Sequence, residues 1–152
     1  MFDRLCVIGP GLIGGSIARA ARQRGLCRSI SAYGRQEDAA NLAKGKALKV
    51  IDEYFYNIEK AVENADCVII SVPVGAAANI LALLKPVWRR EVIYTDVGST
   101  KASVIQVAKQ IFGKVPENFI PTHPIAGAEK SGVEAALADL FLDKRLIITP
   151  EP

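Results

Sequence analysis

Short runs of consecutive apolar residues alternate along this chain with longer stretches in which small and apolar residues recur every three or four positions. Leu5 to Ile8 is an apolar run that stops at Gly9. From Leu12 to Gly25 the recurrence has helical period, and Gly25 is a natural stop. Ile30 to Tyr33 reads as a second strand, Glu37 to Lys44 as a helix ending near Gly45, Leu48 to Ile51 as a weak third strand, and Ile58 to Asn64 as a short helix. Cys67 to Val72 is a buried strand closed by Pro73, and Ala76 to Leu84 is a helix that stops before Pro86. Val92 to Thr95 is a strand, Ser99 to Phe112 a helix, and Phe119 to Ile120 a short strand before Pro121. Glu134 to Phe141 reads as helical and Leu146 to Thr149 as a last strand. This alternation, with near-continuous apolar strands, predicts an α/β fold: a mainly parallel, doubly wound sheet with helices on both faces.

The rest of the composition narrows the picture only a little. The chain has 152 residues, the size of one domain, and half of them are hydrophobic, so it is able to bury a core. The net charge of +3 is small, and Arg19, Arg22 and Arg24 cluster where the first predicted helix ends, as its dipole favours. No nucleic-acid patch is apparent. Cys6, Cys27 and Cys67 match no zinc or redox spacing, and no metal site is read. An odd cysteine count and no signal peptide predict a reducing cytoplasm, and no apolar run is long enough for a bilayer. There is no repeat, low-complexity stretch or long linker.

Gly9-Pro10-Gly11-Leu12-Ile13-Gly14 is a GxGxxG. Alone the pattern is weak, but a predicted strand precedes it and a predicted helix follows. In that setting the glycines permit a tight turn, close backbone approach to a pyrophosphate, and close helix–strand packing, the arrangement of a Rossmann-type domain. The alternative is a glycine-rich turn that serves packing alone. Dinucleotide sites that prefer NAD place an acid about 20 residues beyond the glycines. Here that region reads Tyr33-Gly34-Arg35-Gln36, with no acid, so Arg35 is a candidate for a 2′-phosphate and NADP is the expected cofactor, with NAD possible. The other reading of Arg35 is a solvated loop arginine; Glu37 and Asp38 follow, where acids suit the opening of a helix.

Ligands of open α/β sheets collect beyond the carboxyl ends of the strands. Ser71-Val72-Pro73 closes the fourth predicted strand, Asp96-Val97-Gly98-Ser99-Thr100-Lys101 follows the fifth, and Thr122-His123-Pro124 follows the sixth. His123 is the single histidine. A lone histidine is often structural, yet this one sits on the face where the glycine loop would hold a cofactor. A hydride transfer from an alcohol needs a base, and imidazole suits that work near neutral pH. Ser99 is a candidate to hydrogen-bond that imidazole or the reacting hydroxyl, and equally a candidate helix N-cap.

The ordered set VIGPGLIGGS, DVGSTK and HPIAGAEKSGVEAALADLF resembles the prephenate/arogenate dehydrogenase family, and the likeness runs through nearly the whole chain. The resemblance implies an enzyme of tyrosine biosynthesis that performs an oxidative decarboxylation. Hydride passes from C4 of a cyclohexadienol ring to NAD(P) as CO₂ leaves. Carried over by motif, His123 corresponds to the histidine that polarises the C4 hydroxyl, and Ser99 to the serine that positions it. Glu129 corresponds to an acid at the rim of the substrate pocket. Gly9, Gly11, Leu12, Ile13 and Gly14 correspond to the phosphate loop, and Ser71 and Pro73 to a loop along the cofactor. Tyr33 and Arg35 complete the expected cofactor contacts.

Two departures stand out. Ala128 occupies a position where many members carry a hydroxyl. Members of the family also continue into a helical domain that forms a homodimer and supplies an arginine for a substrate carboxylate. That domain is expected to be absent here. The cations near the expected pocket are Lys101 and Lys130, read as flexible and solvated. Rival readings are another dehydrogenase of this fold, such as a 3-hydroxyacid dehydrogenase or a pyrroline-carboxylate reductase, and a non-catalytic nucleotide-binding module. The HPIAGAE segment speaks against the first two.

Overall fold

The apolar run near the N-terminus is the inner half of a longer strand, β1 (Phe2–Ile8), whose last four residues are buried. The computed structural model of the protein describes residues 1–98, 100–125 and 131–149. After β1 come α1 (Leu12–Gln23), β2 (Cys27–Tyr33), α2 (Ala39–Ala47), β3 (Glu53–Phe55), α3 (Ile58–Val62) and β4 (Cys67–Ile70). The second half holds α4 (Ala77–Leu84), β5 (Ile93–Asp96), α5 (Lys101–Phe112), β6 (Phe119–Pro124) and β7 (Leu146–Ile148).

The strands form one seven-stranded sheet in the order β3-β2-β1-β4-β5-β6-β7. All neighbours run parallel except β7, which runs antiparallel to β6. The chain therefore changes direction of travel between β1 and β4, the place where a doubly wound sheet opens a crevice. The register aligns the strand ends: Ile8 pairs with Tyr33 and with Ile70, Ile70 with Asp96, and Asp96 with Pro121. Whatever follows those residues lies along one edge of the sheet.

Each face is covered as the apolar strands require. On one side β-strand residues pack with α3, α4 and α5 around Val68, Leu81, Leu84 and Tyr94, all fully buried. On the other, Val7, Ile30 and Ile69 pack with α1, α2 and Val133. Among the described residues no helix is long and apolar enough to cross a membrane.

Two segments differ from the expected elements. Leu48 to Ile51 is not a strand. Leu48 caps α2, Lys49 takes the left-handed region (φ 59°), and the N–H groups of Val50 and Ile51 return to the Gly45 carbonyl at 2.9 and 3.3 Å. The apolar pair Val50 and Ile51 plugs the core as a helix stop, and pairing begins two residues later at Glu53. Glu134 to Phe141 is not a helix. One 3₁₀ turn spans Val133–Ala135, and Ala136 is extended. The Leu137 N–H, which a helix would direct to the Val133 carbonyl, donates instead to Ser16 Oγ (2.9 Å), and the Val133 N–H just before the segment donates to Asn41 Oδ1 (2.9 Å). The sixth strand is also longer than its apolar pair suggested. It runs through Pro121 and Pro124, and the ladder uses the Pro121 carbonyl, which accepts the Thr149 N–H at 2.9 Å. At the far edge β7 exposes Leu146, Ile147 and Ile148.

Cys6 and Cys67 lie on adjacent strands and are buried, whereas Cys27 is half-exposed. Burial pushes the Cys6 thiol up from its ordinary 9.0 to about 12, and the Cys67 thiol to about 11. Both folded values lie above the unfolded one, so the stability that comes from keeping these thiols protonated is full below pH 9.0 and lost as pH rises through those values. A thiol-specific colorimetric reagent at neutral pH is therefore expected to label Cys27 rapidly in the native protein, with Cys6 and Cys67 reacting only on unfolding. Rapid labelling of all three without denaturant would contradict this packing.

Candidate active site

The glycine loop leaves β1 through a turn that only glycine fits. Gly9 has φ +81°, and its N–H donates to the Tyr33 carbonyl at 2.9 Å. A Cβ there would stand 2.8 Å from the Ser71 carbonyl oxygen and 2.9 Å from Val72 Cγ1. At Gly14 it would meet Val7 Cγ1 at 2.8 Å, so this glycine lets α1 lie close on β1. Gly11 is different: nothing stands within 4 Å of its Cβ position, and the space above the loop is open. Gly11 is also the N-cap of α1, with no side-chain cap and no acid in the first turn. The first helical bond runs from the Gly15 N–H to the Gly11 carbonyl (2.9 Å), which leaves the N–H groups of Leu12, Ile13 and Gly14 without helical acceptors. Free donors at the positive end of a twelve-residue helix, facing open space, suit a phosphate.

At the end of β2 the structure separates the two expected cofactor contacts. Tyr33 reaches the loop through its carbonyl, and its ring belongs to the core. Arg35 is exposed, but it is not free. Its Nε lies 3.3 Å from Asp38 Oδ2 and 3.6 Å from Glu37 Oε2. Burial opposes ionisation of Asp38, yet its bonds from Arg35 outweigh that and hold the carboxyl below its usual range.

Further along the same edge, Ser71 and Pro73 follow β4, with Ser71 against the loop glycines and Pro73 exposed. Asp96 ends β5 with its side chain only 5% exposed. Its Oδ2 accepts the Gly98 N–H (3.0 Å) and Lys101 Nζ, and its main-chain oxygen accepts Thr122 Oγ1 at 2.7 Å. Lys101, expected in solvent, is thus drawn into a buried ion pair. Burial lowers its pKa, and Asp96 pulls in the opposite direction. Asp96, Gly98 and Thr100 line a small apolar cleft with Ile70, Val72 and Val74.

His123 is half-buried on β6, opposite Ile147 of β7, and its buried Nδ1 has no partner among the described residues. Alternation along β6 puts Phe119, Pro121 and His123 on one face, the face where Phe119 packs with Tyr94 of β5. The edge therefore carries the glycine loop, Ser71, Asp96 and His123 in spatial order. Ser99 and Glu129 lie outside the described residues, as do Ala128 and Lys130.

Comparison with known proteins agrees with this fold. Residues 17–152 match the family described as prephenate dehydrogenase, nucleotide-binding domain. The chain belongs to that family. It is 38% identical over 152 residues to the cyclohexadienyl dehydrogenase of Zymomonas mobilis, covering 99% of this chain and 50% of that protein. A solved prephenate dehydrogenase from A. aeolicus, in complex with hydroxyphenyl propionate and NAD+, is 32% identical with a TM-score of 0.88, covering 99% of this chain and 51% of that one. Arogenate dehydrogenase of Synechocystis is 28% identical with a TM-score of 0.84, over 97% and 50% of the two chains. The chain thus spans about half the length of these relatives, and 40–41% of two curated prephenate dehydrogenases.

In this member of the prephenate dehydrogenase nucleotide-binding family, two features escaped the sequence reading. Asn41 of α2 donates to the Pro10 carbonyl at 2.6 Å and accepts from Val133, so it ties the glycine loop to the chain downstream of His123. The Asp96–Lys101 pair is the second. The signal for it was present in DVGSTK, whose acid and lysine both sit at the β5–α5 turn.

The two outer roles of the loop predict opposite phenotypes. Gly9→Ala is expected to lose at least about 1–2 kcal/mol of stability, because alanine resists a left-handed backbone. Gly11→Ala is expected to fold with stability within about 1 kcal/mol of the original, the general size of effect at an uncrowded surface position, yet to bind nucleotide poorly because its methyl enters the open space. Denaturant melts alongside dinucleotide titration check both; similar behaviour of the two variants would refute the division of roles.

Proposed function

We propose that this chain holds a nicotinamide dinucleotide along the carboxyl edge of the sheet and forms the cofactor half of a dehydrogenase that oxidatively decarboxylates prephenate or arogenate. The observation that carries the reading is the row from the glycine loop to His123, which runs along the carboxyl edge of the sheet from β1 to β6. The open space at Gly11 and the unpartnered N–H groups of α1 fit the pyrophosphate. When bound, the nicotinamide supplies the hydride acceptor.

The chain's own residues do the rest. His123 takes up the proton of the ring hydroxyl as hydride departs from C4, and returns it to the oxygen once loss of CO₂ makes the ring aromatic. Ser99 and Glu129 keep the roles that their motif positions imply, positioning the histidine and bounding the substrate pocket. Substrate carboxylates need fixed cations, but no cation lines the cleft among the described residues, and Asp96 already holds Lys101. The arginine for that purpose is assigned to the half that the longer relatives have in addition, so this chain by itself is expected to bind cofactor with little turnover. The exposed apolar residues of β7 support a covering partner, in line with a homodimer built through that other half.

Arg35 supports NADP, since it is a cation beyond β2 with no acid ending that strand. NAD is the second reading, favoured by the grip of Asp38 and Glu37 on the guanidinium.

In the whole protein His123→Asn is expected to lower kcat with prephenate or arogenate about 10²–10⁴-fold, with cofactor Kd nearly unchanged. Near-normal turnover would remove His123 from the chemistry. Cofactor choice has its own test. Arg35→Asp is expected to move the NADP-to-NAD affinity ratio toward NAD by about fivefold, the scale of an exposed ion pair. Asp38→Asn, which releases Arg35, should move it the other way. A ratio indifferent to both would show that Arg35 does not read the 2′ position.

A further inference from the structure

Asp96 is unusual among the polar groups at the strand ends. Its side chain is 5% exposed, and of its two oxygens only Oδ2 is engaged, by Gly98 and Lys101. Oδ1 is buried with no hydrogen-bond partner among the described residues. A buried carboxylate oxygen without a donor is costly, so such an atom marks a place where something else donates. Asp96 lines the cleft beyond β4 and β5, whose other walls are the apolar Ile70, Val72, Val74, Ala77 and Val104, with Gly98 and Thr100.

Position says what arrives there. On one side, Ser71 of the glycine-loop contact lies between the cleft residues Ile70 and Val72. On the other, Asp96 accepts Thr122, the neighbour of His123, and it pairs with Pro121, two residues before His123 on the same face of β6. A dinucleotide with its pyrophosphate on the loop and its reactive ring before His123 passes the mouth of this cleft. The pyridinium ring is flat, it carries the same positive charge in the oxidised cofactor and in analogues altered at the amide, and its one N–H-bearing group is the carboxamide. A buried carboxylate oxygen left free to accept, among mainly apolar walls, matches it.

We propose that Asp96 Oδ1 accepts a hydrogen bond from the nicotinamide carboxamide, with Lys101 and Gly98 holding the carboxylate in place. Asp96 then selects the amide-bearing ring, while the glycine loop binds the rest of the molecule. The assignment rests on the nicotinamide dinucleotide reading above.

Three ligands separate the two ideas. Calorimetric titration of this chain uses NAD, its 3-acetylpyridine analogue, in which a methyl replaces the amide nitrogen, and ADP-ribose, which lacks the ring. NAD is expected to bind roughly 10- to 100-fold more tightly than the analogue, as one hydrogen bond to a charged group provides. In Asp96→Ala that preference should shrink to about twofold or less, with ADP-ribose affinity kept within about twofold, a span of under half a kcal/mol. Equal affinity of the original chain for NAD and the analogue overturns the proposal and needs no variant, so it decides the matter even where Asp96→Ala fails to fold. A preference that survives in folded Asp96→Ala overturns it too. Failure of the original chain to bind both ADP-ribose and its 2′-phosphorylated form overturns the dinucleotide reading, and the Asp96 assignment falls with it.

Discussion

Between Gly9 and the Ser71 carbonyl there is no room for a methyl group: a Cβ would lie 2.8 Å from that oxygen. This contact fixes how closely the chain leaving β1 can lie on the chain leaving β4, and much of the site follows from it. It sets the point where α1 begins, and so where the unpaired N–H groups face. It also brings the loop beside Ser71 and Val72, and Val72 is a wall of the cleft that Asp96 lines. The parallel register carries the alignment onward through Ile70, Asp96 and Pro121, so His123 stands at a distance from the loop that backbone geometry dictates.

The helix that starts at the loop is packed from two sides by two successive glycines. Gly14 turns toward β1, where Val7 leaves no space for a side chain. Gly15 turns the other way, toward Ala136 and Val133, whose atoms a Cβ would meet at 3.0 and 3.3 Å. Val133 is fully buried there, and Asn41 and Ser16 bind the backbone of the same segment. The stretch that follows the His123 loop is thus anchored on the first βαβ unit, and Asn41 joins it directly to Pro10. Loop and downstream segment share a single rigid support.

Much of this was legible from residue order because buried parallel strands need unbroken apolar runs, and a glycine turn after such a run has few uses. Where reading failed, tertiary contacts took over groups that local pattern assigns elsewhere. Leu48 to Ile51 has the composition of a strand, but its amides close the end of α2 on Gly45. Glu134 to Phe141 has helical spacing, but Ser16, far away in sequence, claims the Leu137 donor, and Asn41 claims that of Val133 just before the segment. Lys101 looks solvated in a polar loop, and only the fold shows that Asp96 draws it inward. Arg35 was readable as a cation; that Asp38 three residues on would grip it was not.

The antiparallel closing strand has a consequence for the order in which the molecule can be assembled as it is synthesised. His123 pairs with Ile147, and Pro121 is held by Thr149, so the outer flank of β6 is secured by residues more than twenty positions later in the chain. While those residues are still inside the ribosome, β6 can rest only on β5. The glycine loop, β2 and β4 are by then already available to pair. The nascent domain can therefore form its glycine-loop end before the strand that carries His123 is set, and a pause in translation between the two would leave a half-built sheet with an unfinished outer edge.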